Sequence, residues 1–252
     1  MDLNGKAALI SGAGGGICRA IAVAFAEAGA AAVACFDVNT AAAAETARLV
    51  TAAGSKAISG HCNVADEGEV QAATKAAYDA FGKLDILVSG AAPHDPGGPI
   101  TETSLAEWQM VVDINLTGAF LLSKAALPHM IAGGGGSIIF IASQLGRVGS
   151  AGRAAYCATK GALIQLAKVI AIDHADQNVR CNALSPGAVE TQRTLRRYNS
   201  FDVAREKLGA KHLTRRLGKP KELATAAVFL ASDAASFVTG SDLLVDGGYT
   251  AI

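Results

Sequence analysis

The chain has 252 residues, and its 22 lysines and arginines balance 22 aspartates and glutamates, so the formal net charge is zero. That balance argues against a nucleic-acid partner, because neutralising phosphates needs a clustered cationic excess. With 51% hydrophobic and 17% charged residues, the composition is far from that of disordered chains and suffices for a sizeable core. Aromatic residues make up only 5%, which suits base stacking on single strands poorly.

The first residues, Met1-Asp2-Leu3-Asn4-Gly5-Lys6, lack the basic-then-apolar order of a secretory leader. The most apolar stretch, Ala20 to Phe36, is broken by Glu27 and Gly29, which makes it a poor membrane span. Cys18, Cys35, Cys62, Cys157 and Cys181 are widely spaced, with no Cys-x-x-Cys pair and no ladder of metal ligands. They read as buried thiols in a reducing compartment. The expectation is a soluble cytoplasmic protein with no metal site and no membrane partner.

Short apolar runs alternate with helical stretches along the whole chain. Ala7–Ile10 is a first strand ending in Ser11-Gly12, followed by a helix from Gly16 to Ala28 that stops at Gly29. Ala32–Phe36 forms the second strand. Thr40 is placed to cap the next helix, which runs to Ala53. A third strand lies within Ala57–Val64, and Asp66-Glu67 opens a helix reaching Phe81, with Gly82 after it. Ile86-Leu87-Val88 is the fourth strand and breaks into a loop, Pro93 to Pro99. Leu105 to Ile131 reads as one long helix tolerating Pro128 near its end. Ile138–Ile141 is a strand, Ala154–His174 a helix, and Val179–Leu184 a strand. Residues 189–216 are charged and leave the alternation; Pro220–Ala231 and Leu243–Val245 restore it. Seven strands alternating with helices imply a parallel sheet covered on both faces, in a single α/β domain spanning residues 1–252.

Two motifs point to chemistry. The first strand delivers Ser11-Gly12-Ala13-Gly14-Gly15-Gly16-Ile17-Cys18 directly into a helix. Glycines let a pyrophosphate approach the backbone, and the helix N-terminus offers free N–H groups and the positive end of a dipole. Asp37, at the end of the second strand, is placed to accept hydrogen bonds from ribose hydroxyls, and Val38 supplies no cation for a 2′-phosphate. Farther along, Tyr156 and Lys160 are four residues apart, on one face of one helix. A cation there lowers a phenol's pKa from its ordinary value near 10, which makes Tyr156 a candidate general acid/base. Ser143 ends the preceding strand and is a second hydrogen-bond donor to the same oxygen. Asn115, in the long helix, is a candidate for a proton relay.

These motifs, in this order and with Pro186-Gly187 and Val245-Asp246-Gly247-Gly248 after them, resemble those of the short-chain dehydrogenase/reductase family over essentially the whole chain. The resemblance implies a doubly wound Rossmann fold, NAD(P)-dependent oxidoreduction of an alcohol or ketone, and a homotetramer. It assigns Tyr156 as acid/base, Lys160 to the nicotinamide ribose and the phenol, Ser143 to the substrate oxygen and Asn115 to a water relay. Cofactor contacts fall to Gly12, Gly14, Gly15, Gly16, Ile17, Asp37, Asn63, Val64, Ser89, Gly90 and Ala91, and on the nicotinamide side to Pro186, Gly187, Val189 and Thr191. Ser143, Gln144 and His94 are candidates for the substrate pocket, and 189–216 matches the family's variable substrate lid. Asp37 favours NAD over NADP.

This sequence departs from the family pattern at three places. The last glycine of the turn is Cys18, the Asn-Asn-Ala-Gly stretch is Ser89-Gly90-Ala91-Ala92, and the acidic residue facing adenine is Asn63. The lid carries Arg193, Arg196, Arg197, Lys207, Lys211, Arg215 and Arg216 against Glu190, Asp202 and Glu206, which reads as a solvated face or as a site for an anionic substrate. Two other functions compete with an NAD-dependent alcohol dehydrogenase. One is an NADPH-dependent reductase of 3-oxoacyl carrier thioesters, which Asp37 disfavours. The other is a non-catalytic module sensing NAD(H), which has no need of a Tyr–Lys pair.

Overall fold

The apolar runs become strands β1 (Ala7–Ser11), β2 (Ala32–Asp37), β3 (Lys56–His61), β4 (Ile86–Ser89), β5 (Gly136–Ile141), β6 (Val179–Pro186) and β7 (Asp242–Val245). In the computed structural model, which describes residues 1–95 and 97–251, they form one parallel sheet of order β3-β2-β1-β4-β5-β6-β7. Pro96, within the expected loop after β4, lies outside the described residues. The strand order reverses between β1 and β4, where Ser11 pairs with Ser89. In doubly wound sheets the loops leaving two such strands part to opposite faces, and the crevice beyond their carboxyl ends is where ligands bind.

Strand burial follows position in the sheet. β1 and β4 are buried along their whole length, as strands covered on both faces must be. The edge strands β3 and β7 are only partly covered, and β3 carries Lys56 and His61 at its ends. Because strand side chains alternate, Ala8, Ile10, Val33, Cys35, Val88 and Ile139 face one layer, whereas Leu9, Ala34, Phe36, Leu87, Ile138 and Phe140 face the other. Helices α1 (Gly16–Glu27), α2 (Thr40–Ala52) and α9 (Pro220–Ala231) cover the first set. Helices α3 (Glu67–Phe81), α5 (Gly118–Ala132) and α6 (Ala154–Asp173) cover the second.

Local chemistry explains several helix ends, with two corrections to the sequence expectation. Asp66 caps α3 by accepting from the Glu69 amide at 2.9 Å, and Gly82 ends it in the left-handed region. The cap of α2 is Asn39 rather than Thr40. Asn39 has extended backbone and its side chain accepts from the Ala42 amide at 3.0 Å, whereas Thr40 is already helical. The second correction concerns Leu105–Ile131. Ser104 caps α4 (Leu105–Val112) in a reciprocal capping box with Glu107, and a π-helical turn at Asp113–Thr117 joins α4 to α5. Periodicity alone does not reveal a π turn, because one extra residue per turn leaves the apolar pattern on either side intact.

The segment 189–216 is an excursion from the sheet with a narrow neck. Val189 and Gly218 are bridged, and the Glu190 amide donates to the Gly218 carbonyl at 2.9 Å. Within it lie α7 (Gln192–Tyr198) and α8 (Phe201–Ala204), followed by a π turn at Arg205–Gly209. Four of the five cysteines are buried thiols, as expected; Cys157 is only half-buried. The apolar stretch Ala20–Phe36 is divided between α1 and β2. Leu105–Ala132 and Ala154–Asp173 are long and apolar enough to cross a membrane, but their buried sides pack on the sheet.

Candidate active site

The glycine turn lies at one wall of the crevice. Gly12 is at φ 69°, where only glycine is unstrained, and a Cβ on it would sit 2.7 Å from the Ala91 amide nitrogen. The turn is thus pressed against the Gly90-Ala91 loop from β4. On its other side, a Cβ on Gly14 would meet the Asp37 carboxylate at 2.8 Å. Asp37 accepts from the Gly14 and Asn39 amides, each at 2.9 Å, which fixes the carboxylate at the tip of β2. Arg19 braces the turn from behind, donating to the Gly14 carbonyl at 2.5 Å, Thr46 at 2.9 Å and the Ala42 carbonyl at 3.2 Å. Thr46 in turn donates to the Ala13 carbonyl at 2.7 Å. Gly15 and Gly16 present bare backbone at the start of α1, and Ile17 packs into the core beneath. Asn63 and Val64 follow β3 on the same side; the Asn63 side chain accepts from the Ala65 amide, and Val64 is buried.

Two of the departures from the family pattern prove to be one. A Cβ at Gly90 would fall on the Cys18 sulfur. Cys18 therefore occupies the room that Gly90 leaves, and the cavity between α1 and β4 stays filled. Burial pushes the Cys18 thiol up to about 12, so it packs as a neutral apolar group.

The sheet brings three of the four candidate catalytic residues to the other wall. Ser143 follows β5 with extended backbone and is 7% exposed; its hydroxyl accepts from the Leu145 amide at 3.1 Å. Tyr156 and Lys160 share one face of α6, with the ammonium 5.6 Å from the phenol ring centre. Lys160 is buried and donates to the Ile141 carbonyl at 2.6 Å, which ties α6 to the end of β5. Burial, reinforced by the nearby Arg193 charge, pulls the Lys160 ammonium down to about 7. Asn115 joins from the π turn. Its amide donates to Thr159 at 3.1 Å, and Thr159 donates to the Tyr156 carbonyl at 3.0 Å. The Asn115 Oδ1 is buried without a hydrogen-bond partner among the described residues, an acceptor open to a further donor.

The residues expected on the nicotinamide side lie beyond the end of β6. Pro186 ends β6, and Gly187 is closed in by two side chains: a Cβ there would lie 2.9 Å from His212 Nε2 and 3.0 Å from Gln144 Oε1. Gln144 thus faces the Gly187 loop. His212 also meets this loop, at a position that no sequence motif marks. Its Nε2 accepts from the Ala188 amide at 3.2 Å while Nδ1 donates to the Leu208 carbonyl at 2.8 Å, so the ring clamps this loop to the 189–216 segment. Val189 is buried, and Thr191, which caps α7, has its methyl 3.4 Å from where a Cβ on Gly16 would be.

His94 is exposed, but its neighbour Asp95 is 9% exposed and paired with Arg153 at 2.9 Å. The Arg153 guanidinium lies 4.9 Å from the Tyr156 ring centre, and that of Arg193, reaching in from α7, lies 5.2 Å away. Sequence spacing gave no sign of the Asp95–Arg153 pair, because 58 residues separate partners that the sheet order makes neighbours.

Comparison with known proteins shows the family and the fold. A family model described as enoyl-(acyl carrier protein) reductase matches residues 12–250. The cis-4-hydroxycyclohexanecarboxylate dehydrogenase of Sinomonas cyclohexanicum is 41% identical over 247 residues, covering 98% of this chain and 97% of that one. A solved 7α-hydroxysteroid dehydrogenase, complexed with NADH and 7-oxo glycochenodeoxycholic acid, superposes with a TM-score of 0.91 at 35% identity, covering 98% of this chain and 95% of that one. A short-chain type dehydrogenase/reductase from Mycobacterium marinum gives a TM-score of 0.90 at 34% identity, covering 100% of this chain and 97% of that one. With a whole-length match, the same doubly wound sheet and the glycine turn facing the Tyr156–Lys160 helix, the chain belongs to the short-chain dehydrogenase/reductase family of NAD(P)-dependent oxidoreductases.

Proposed function

We propose that the protein interconverts a secondary alcohol and its ketone, with NAD as the preferred cofactor and Tyr156 as the group that takes and returns the hydroxyl proton. The observation that carries this reading is the convergence of Tyr156, buried Lys160 and Ser143 on the crevice that the glycine turn lines. A dinucleotide fits the residues present. The turn is a bare-backbone cradle that a Cβ at Gly12 or Gly14 would fill, and Asp37 retains lone pairs for ribose hydroxyls beyond its two backbone partners. When bound, the nicotinamide supplies the hydride acceptor or donor.

The chain's own residues do the rest. Ser143 and Tyr156 hydrogen-bond the reacting oxygen; in oxidation the tyrosinate accepts its proton, and in reduction the phenol donates one back. Lys160 and the flanking guanidiniums hold the tyrosinate by their charge. Asn115 Oδ1, unpartnered behind α6, is the acceptor through which a water brings protons toward Lys160. The NADH-bound relative and the hydroxy-acid dehydrogenase relative support the cofactor and the alcohol class. Buried free thiols suit a cytoplasmic enzyme. Exposed Leu105, Met110, Phe120, Val169 and Ile172 on α4 to α6 support a homotetramer, since such faces bury against a second copy.

The test is a screen of secondary alcohols and ketones with NAD(H) and NADP(H), following reduced nicotinamide absorbance. Oxidation of an alcohol with NAD supports the reading. Turnover confined to 3-oxoacyl thioesters with NADPH would replace it, and cofactor binding without turnover of any substrate would make the protein a binding module.

A further inference from the structure

Among the described residues, two basic residues of the 189–216 segment are held in ion pairs, and those over the Tyr156 ring are not among them. Arg205 pairs with Glu190 and Asp202, each at 2.8 Å, and Arg216 pairs with Glu222 at 2.7 Å. Among the described residues, Arg193 and Arg197 have no such ion pair, and Arg193 lies over the phenol ring. Arg153 lies over the same ring with its side chain 8% exposed. Its one carboxylate neighbour is Asp95, equally buried. Although 2.9 Å apart, Arg153 Nε and Asp95 Oδ2 are not aligned as a hydrogen bond, and both atoms are buried without a hydrogen-bond partner among the described residues. Burial, aided by Arg197 and Arg193 and opposed by Asp95, lowers the Arg153 guanidinium from its ordinary range.

Two guanidiniums thus converge on the phenol ring beside the Lys160 amine, and among the described residues the one carboxylate paired with them, Asp95, meets Arg153 with poor geometry. Like charges gathered in a partly dry crevice are unfavourable on their own, and an incoming anion relieves them. Guanidinium forks suit the paired oxygens of carboxylates and sulfonates. We propose that Arg153 and Arg193 form a subsite for a carboxylate or sulfonate on the substrate, so that the alcohol oxidised beside Tyr156 is an anionic hydroxy acid. This rests on the reading of Tyr156 as the proton-transfer group. Asp95 then acts as the placeholder that holds Arg153 in position when the subsite is empty. Arg193, carried on the lid, reaches the anion from the side by which substrate enters.

Binding and turnover test the subsite separately. In titration calorimetry of the NAD-loaded protein, cyclohexanecarboxylate and cyclohexanesulfonate should each bind at least about tenfold more tightly than cyclohexanecarboxamide, as expected for a charge-assisted pair. Arg193→Gln, at an exposed position and therefore no threat to folding, should abolish most of that preference; Arg153→Lys, which keeps the charge but loses the fork, should lower it in part. A stronger response for one anion than the other identifies which oxygen geometry the subsite takes. In turnover, 4-hydroxycyclohexanecarboxylate should exceed its methyl ester in kcat/KM through a lower KM, and Arg193→Gln should reduce that ratio by about tenfold or more. Equal binding of carboxylate and carboxamide, or a preference untouched by Arg193→Gln, overturns the proposal. Selective anion binding with no alcohol oxidised would sustain the subsite and overturn the dehydrogenase reading; ester oxidised as well as acid would do the reverse.

Discussion

Lys160 and Asp37 each show how one side chain's surroundings decide what it does. Burial pulls Lys160 from the ordinary 10.5 to about 7, with Arg193 as the second cause. Between those values the unfolded chain holds a proton that the folded one lacks, so this group's contribution to stability rises with pH from about 7 toward 10.5 and its penalty is complete below 7. In the cofactor-free protein, the Lys160 side-chain resonance in a ¹³C-lysine NMR titration should move near pH 7, and in Arg193→Gln it should move at higher pH. A midpoint at the ordinary lysine value in both proteins would contradict that placement. At Asp37 the argument concerns selectivity. A 2′-phosphate there faces a carboxylate and removes its hydroxyl donors, and such a mismatch costs about 2–5 kcal/mol. The arginines of α1 and α2 are engaged, Arg19 with the turn and Arg48 with Glu45. Kinetics should therefore show wild type preferring NAD by at least about 30-fold and Asp37→Ala losing most of that preference. A preference unchanged by the substitution would mean another group selects the cofactor.

Elements fit because neighbouring residues adjust to one another. Gly90→Ala would set a methyl against the Cys18 sulfur, and overpacking of this kind costs about 1–3 kcal/mol. Cys18→Gly in the same chain should recover most of the loss, which a double-mutant cycle by urea denaturation measures. Independent, additive effects would show that the two positions do not share one space. This pairing also shows what the sequence tells and what it withholds. Strand alternation, the Asp66 and Gly82 signals of α3 and the i to i+4 spacing of Tyr156 and Lys160 are local, and each was legible from neighbouring residues. The π turn that presents Asn115 was not, since it changes the hydrogen-bond ladder without changing the apolar period. The Asp95–Arg153 pair, the His212 clamp on Ala188 and the aim of Arg193 were not legible either. They join residues far apart in the chain, and only the sheet order sets those distances.

At the scale of the whole molecule, the reversal of strand order between β1 and β4 explains why two distant motifs lie close together. The glycine turn and the Tyr156–Lys160 helix emerge at the same end of the sheet, one from each half. The outer faces of α4 to α6 leave Leu105 78% exposed and Ile172 75% exposed, more apolar surface than the core of one copy uses. Multi-angle light scattering at micromolar concentration should give the mass of four chains; a monomer would contradict the assembly. The central claim is that Tyr156 transfers the proton while the rest of the crevice binds the cofactor independently of it. Tyr156→Phe keeps the ring and its packing but removes the hydroxyl. With the alcohol that wild type oxidises best, this variant should lose about 10²–10⁴-fold in kcat, while its NADH affinity, read by fluorescence titration, should stay within about threefold of wild type because the ring remains in place. Turnover at the wild-type rate would contradict the account.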